Sequence, residues 1–236
     1  MLRKIFFIAQ KELSTLFHSP LAYIIGVVVM TIFNGFFYII LEQGREATLR
    51  DMFQLMEFLF VFIIPLLTMK TLSEEKMTGT IEFLMTSPTS EAAIVLGKYL
   101  GCLCFYSLIL MLTGIYYLIL EIFSSPDQMA AMLGYSGLWL EGALFIAVGV
   151  MTSAWSRSQV ACSLCAYLIL FFGYFSKSFS PYVSGTFQKI ISYVNVTNHS
   201  ANFYDGLLIT SDLVYFLSGV VLCLWITQWS MKRQWE

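Results

Sequence analysis

Six long apolar runs constrain this chain more than any other feature: Leu21 to Leu41, Met52 to Leu72, Ala92 to Phe123, Leu138 to Trp155, Val160 to Phe175 and Leu213 to Met231. About 20 apolar residues, rising 1.5 Å each, cross a hydrocarbon core roughly 30 Å thick. A backbone in lipid must satisfy its own polar groups, so these runs predict helices. Composition agrees: 58% of residues are hydrophobic and 12% charged, with a mean hydropathy of +0.75. The expected fold is an all-α polytopic membrane protein with six transmembrane helices, a single transmembrane domain over residues 1–236.

The basic residues set the expected orientation. With the N-terminus inside, Arg3, Lys4, Lys11, Lys70, Lys76, Lys98, Arg157, Lys232 and Arg233 are cytoplasmic, and Arg45, Arg50, Lys177 and Lys189 lie outside. Nine against four favours two cytoplasmic termini. The net charge of -2 therefore says little about partners; its distribution across the membrane says more.

Residues 1–20 are not read as a signal peptide, because Gln10, Lys11 and Glu12 break the apolar run and no small-residue cleavage pattern follows. They read as an interfacial helix. Leu2, Ile5, Phe6, Ala9, Leu13, Leu16 and Phe17 share one face that would sink into the acyl boundary, leaving Arg3, Lys11 and Glu12 wet. Ser19-Pro20 ends it. The alternative is a cytoplasmic extension of the first span.

Between the second and third spans lies a polar interruption, residues 73–90, SEEKMTGTIEFLMTSPTS. Met77, Ile81, Leu84 and Met85 recur at helical spacing, and Glu74, Glu75, Thr78 and Glu82 take the other side. This predicts a short amphipathic cytoplasmic helix. Residues 176–212 are too apolar for a simple loop and too broken by Pro181, Gly185 and Gly206 for a span. Phe187, Ile190, Ile191 and Val194 form one turn set and Phe203, Leu207 and Leu208 another, so two short external helices are expected.

Most catalytic chemistry is excluded by what the chain lacks. Cys102, Cys104, Cys162, Cys165 and Cys223 all fall within spans, and no histidine or second close pair completes a zinc set around Cys162 and Cys165. His18 and His199 lie on opposite sides of the expected membrane. Gly97-Lys98 is followed by Tyr99, and Ala92 stands where a phosphate-binding loop has glycine. No cofactor or metal is expected. Asn195-Val196-Thr197 and Asn198-His199-Ser200 match a glycosylation acceptor and are read as chance.

Carboxylates in spans need a reason, because a charge at a helix centre costs about 2.5 to 3.5 kcal/mol on insertion scales. Glu57, Glu121 and Glu141 fall toward the outer side. They either snorkel to the interface or contact an ion or polar substrate at the mouth of a pathway.

Several of these segments together resemble one family. Lys11-Glu12-Leu13 before Ser19-Pro20, the EEKxxGTIExLxxSP pattern from Glu74 to Pro88, GLWLEGALFIAVGV leading to Ser153-x-Trp155-x-Arg157-x-Gln159, and NFYDGLLITSDLVYF before the last span form the pattern. Over essentially its whole length the chain is similar to ABC-2 type transporter permeases, and more narrowly to the gliding-motility-associated GldF-like permease subunits. The resemblance implies a permease without its own nucleotide site, in the bacterial inner membrane. It implies pairing with a second permease subunit and with a cytosolic ATP-binding cassette subunit, among membrane lipids and without nucleic acid. Residues 73–90 would then be the coupling helix and 1–20 the connecting helix. Glu74, Glu75, Lys76, Gly79, Thr80, Glu82 and Arg157 would form the ATPase-subunit interface, with Glu57, Glu121 and Glu141 lining a pathway. Export is the expected direction. Two other classes stay open: an ATP-independent secondary transporter or channel, and a membrane anchor for a motility or envelope assembly.

Overall fold

The computed structural model describes residues 2–42, 48–80, 90–124, 126–179 and 185–233. Every regular element among them is helical, and six helices are long and apolar enough to cross a membrane. In chain order the elements are α1 (Leu2–His18), α2 (Pro20–Glu42), α3 (Arg50–Thr68), α4 (Lys70–Thr78), α5 (Glu91–Phe123) and α6 (Gln128–Ser153). They continue as α7 (Gln159–Phe179), α8 (Thr186–Val194), α9 (Val196–Tyr204) and α10 (Thr210–Arg233).

The centre of the bundle is α6, whose most apolar stretch is 72% buried, against 17% for α2. It packs against α3, α5, α7, α9 and α10. Small residues permit this, as expected where helices associate by close packing rather than by expulsion of water. A Cβ at Gly142 would stand 2.2 Å from the Tyr106 ring, so α5 reaches α6 only because that position is bare. Helix α6 also begins ten residues before the Leu138 start read from hydropathy. Asp127 caps it, accepting from the Met129 and Ala130 amides at 2.9 and 3.3 Å.

Helix α1 does not simply float on a surface. Gly97 and Gly101 make a notch on α5 in which it lies, and a Cβ at either glycine would come within 2.6 Å of Ile8 or Glu12. The expectation that Glu12 stays wet is overturned: its side chain is 13% exposed and turned toward Lys98 of α5. Ser19 breaks the chain and Pro20 opens α2, where a missing N–H costs nothing, so α1 is separate from the first span.

The second span also departs from its expected end. Helices α3 and α4 run on as one rod from Arg50 to Thr78, apolar up to Leu72, with Pro65 inside and only Met69 out of register. Residues 73–78, expected to open a separate amphipathic helix, are therefore the tip of the second span. Gly79, at φ +72°, ends it in the left-handed conformation that glycine adopts without cost. The remainder of that predicted helix, including Glu82, lies outside the described residues.

At the opposite end, two short helices are present as expected, though the second is shifted. Asn195 accepts from the Asn198 amide at 2.9 Å and starts α9 at Val196; Gly206, at φ +74°, follows its end. Leu207 and Leu208 are consequently exposed non-helical residues. Asn195 is wholly buried, its amide donating to Gly173 O, Tyr174 O and Ser176 Oγ, so no sugar can reach it.

Candidate functional site

Two polar constellations stand out, one at each end of the bundle. The first joins α1, α4 and α5. Lys98, only 3% exposed, places Nζ 3.1 Å from Glu12 Oε2 and 3.0 Å from Glu75 Oε1, and donates to the carbonyl of Thr71. All three ammonium donors are thus used. Burial pushes the Glu12 carboxyl above its ordinary value while Lys98 pulls it back, so Lys98 is what makes a sunken carboxylate tolerable. Beside the cluster, an open groove of about 710 Å³ runs between α1 and α4, bordered by Lys11, Ser14, Lys70, Glu74 and Thr80.

A second tie leaves α4 in another direction. Lys76 donates to the carbonyl of Ala154, at the end of α6, and so grips the turn that carries Arg157. That turn caps itself: Ser156 Oγ accepts from the Ser158 amide at 3.1 Å. Of the residues expected at a subunit interface, Glu75 and Lys76 are turned inward to hold α4, whereas Glu74, Gly79, Thr80 and Arg157 are exposed. Nothing in the sequence distinguished the two groups, because the partners Lys98 and Ala154 are 23 and 78 residues away.

The second constellation lies at the far end. Glu57 of α3 and Glu141 of α6 are each 1% exposed, within electrostatic reach of each other, under α9. The snorkelling alternative fails for both, since protein covers them. Ser200 Oγ and Tyr204 OH donate to Glu141 Oε2 at 3.2 and 3.1 Å. Burial, and then Glu141 and Glu57, push the Tyr204 phenol well above its ordinary value. Glu121 is not part of this group. It is exposed near the end of α5, accepting from Gln128 Nε2 at 3.4 Å.

Sequence reasoning missed the neighbouring His199 cluster. His199 Nδ1 meets Asp212 Oδ1 at 2.6 Å and Nε2 meets the Tyr193 carbonyl at 3.0 Å, while the ring stacks on Tyr215 at 4.1 Å. Asn202 donates to Asp212 Oδ2 at 2.7 Å. The cluster ties α8, α9 and α10 together; among the described residues no nucleophile bonds the imidazole, and both ring nitrogens are occupied. Among the described residues, no three His, Cys, Asp or Glu side chains converge as metal ligands.

A sequence profile described as ABC-2 family transporter protein matches residues 6–227. The chain belongs to the ABC-2 transporter family. It is thus the permease of an ABC transporter, an integral membrane component and not a nucleotide-binding domain. Comparison with curated proteins finds no match. For an ABC-2 permease the two clusters acquire distinct settings: one where the helix tip at Gly79 leaves the bundle, the other buried between spans.

Proposed function

We propose that this permease is an exporter in the bacterial inner membrane, with both termini cytoplasmic, powered by a separate cytosolic ATP-binding cassette subunit. It works with a second permease subunit, as a homodimer or heterodimer, and falls in the GldF-like branch. The docking surface is the exposed part of the α4 tip and the neighbouring turn, Glu74, Gly79, Thr80 and Arg157, together with Glu82, which lies outside the described residues. Glu75 and Lys76 serve the same surface from within, by fixing α4 to α5 and α6.

The observation that carries the reading is the double anchorage of α4. A push on its tip is delivered through Lys98 to α1 and α5 and through Lys76 to α6, so it cannot be absorbed by one loose helix. Two-state packing of rigid helices then turns closure of the ATP-binding subunits into rearrangement of the spans. The pathway passes the buried Glu57–Glu141 pair. The test is to purify the permease with its ATP-binding subunit and replace Gly79 or Glu82. Intact association and unchanged coupling of ATP hydrolysis to transport in both variants would remove this assignment.

A second reading, an ATP-independent secondary transporter, draws on the same two buried acids, since ionisable groups between spans often mark ion paths. Proteoliposomes containing the permease alone separate the two. Ion-driven flux without any ATP-binding subunit supports the second reading, and its absence supports the first.

A further inference from the structure

Two grooves meet where α1 gives way to α2. The open groove between α1 and α4 is bordered by Lys11 and Lys70, and it shares Leu16 and Ala22 with a second groove. The second holds about 300 Å³ and runs between α2 and α5, with Leu16 and Phe17 of α1 also lining it. Gly26 and Met30 stand on one side, Leu108 and Leu112 on the other, and no charged residue borders it. From Ala22 to Met30 it follows α2 for about 12 Å, most of one leaflet of a roughly 30 Å hydrocarbon core.

The apolar groove is left open by a glycine. A Cβ at Gly26 would meet nothing within 4 Å, whereas the spaces beside Gly97, Gly101 and Gly142 are all filled by a neighbouring helix. The polar groove holds unspent charge, since neither Lys11 nor Lys70 makes an ion pair among the described residues. Its acids are otherwise placed. Glu12 and Glu75 both bond Lys98, and Glu74 stands one turn beyond Lys70, about 6 Å farther along the helix toward its tip. Ser19, at the break between α1 and α2, adds a hydroxyl to the same border.

We propose that the joined grooves bind one anionic phospholipid, its phosphate held by Lys11 and Lys70 and one acyl chain laid along α2 and α5. Basic side chains at the ends of spans sit at the level of lipid phosphates, and basic pockets there select anionic headgroups. A zwitterionic lipid brings an ammonium that the two lysines repel, and a free phosphate leaves the apolar groove empty. The bound lipid fastens α1 to α2 and α4 across the break at Ser19. The site stands on the two grooves alone, whatever the permease carries and whatever drives it.

The test uses the delipidated full-length protein in detergent, with bound lipid counted by native mass spectrometry. One phosphatidylglycerol is expected to bind about tenfold or more tighter than phosphatidylethanolamine with the same chains. Lys11→Gln and Lys70→Gln should each weaken it by about fivefold, and Lys189→Gln, at the far end of the bundle, should not. Gly26→Leu should fill the apolar groove, weakening phosphatidylglycerol by about tenfold while the melting temperature of the delipidated protein holds. Phosphatidylglycerol with a diazirine in its acyl chain should label residues 16–30 and 105–112. Equal binding of the two lipids, or unchanged binding in both lysine variants, overturns the proposal, because ordinary boundary lipid then accounts for the contact. Label confined to other segments overturns it, as does glycerol phosphate competing at the same concentration as the whole lipid. A Val27→Cys protein that forms a disulfide-linked dimer in high yield in membranes overturns it too, since a second copy then covers the groove.

Discussion

Lys98 and Glu75 meet 3.0 Å apart where the tip of the second span crosses the start of the third, and Glu12 closes on the same ammonium from the N-terminal helix. Three helices thereby share one positive charge. A buried cation between two carboxylates is stable only as a set, because removing one member strands the others.

Lys98→Met should therefore cost about 3 to 5 kcal/mol, since it leaves Glu12 and Glu75 without their counterion. Adding Glu12→Gln and Glu75→Gln to the same chain should recover much of that loss. Thermal unfolding of the single and triple variants checks both points, and additivity of the three changes would deny the cluster.

Glu12 adds a pH dependence of definite sign. Its folded value lies above the ordinary 4.5, because burial outweighs the pull of Lys98. The unfolded chain thus gives up this proton first as pH rises, and the folded state loses relative stability from about 4.5 upward until the folded group has also ionised. Glu12→Gln should remove this step. The difference in melting temperature between wild type and variant, followed from pH 4 to 8, should change in the wild type's favour toward the acid end.

Gly79→Ala should cost about 1 to 2 kcal/mol by strain alone, since φ is +72° and a Cβ there meets nothing within 4 Å. Gly79→Asn should cost less, as asparagine visits this conformation more readily. Hydrogen exchange at Glu74–Thr78 should rise in the alanine variant while the spans stay protected.

Gly101→Leu acts by contact instead. Its Cβ would fall 2.6 Å from Glu12 Cβ and 2.9 Å from the Ala9 carbonyl oxygen, and backbone cannot step aside as a side chain can. Helix α1 should lift from α5, exposing Lys98 and raising proteolysis within residues 2–18. Unchanged protection there would show that α1 is held by something other than the glycine notch.

His199→Ala should cost about 2 kcal/mol, because it leaves Asp212 and the Tyr193 carbonyl each short of a donor. The loss should appear as faster exchange in α8 and α9, with the six spans little affected.

The spans were legible because a run of apolar residues announces its solvent. Five of the six boundaries fell within a few residues at their starts, and the exception, α6, begins with a mixed stretch of Gln, Ser, Tyr and Gly that hydropathy undervalues and the Asp127 cap explains. What could not be read is whether an apolar face meets lipid or protein. Hydropathy therefore leaves Glu57 and Glu141 open between the outer interface and a pathway mouth, and other helices bury them; it places Glu12 in water, and Glu12 has a partner 86 residues away. The polar tip after Leu72 misled in another way: charged residues suggested a new helix, whereas Lys76 and Glu75 are charges that the old helix carries with it to find partners.

With only Met69 between α3 and α4, the second span forms a rod with unequal arms on either side of Pro65. At 1.5 Å per residue, the stretch from Pro65 to Gly79 is about 20 Å long, so a swing of about 5° about the proline displaces the tip by about 2 Å. On the other side of that fulcrum, roughly 12 Å away, is Glu57. A rigid swing of α3–α4 about Pro65 would carry Glu57 the opposite way from Gly79 and less far, in the ratio set by where the proline stands in the chain.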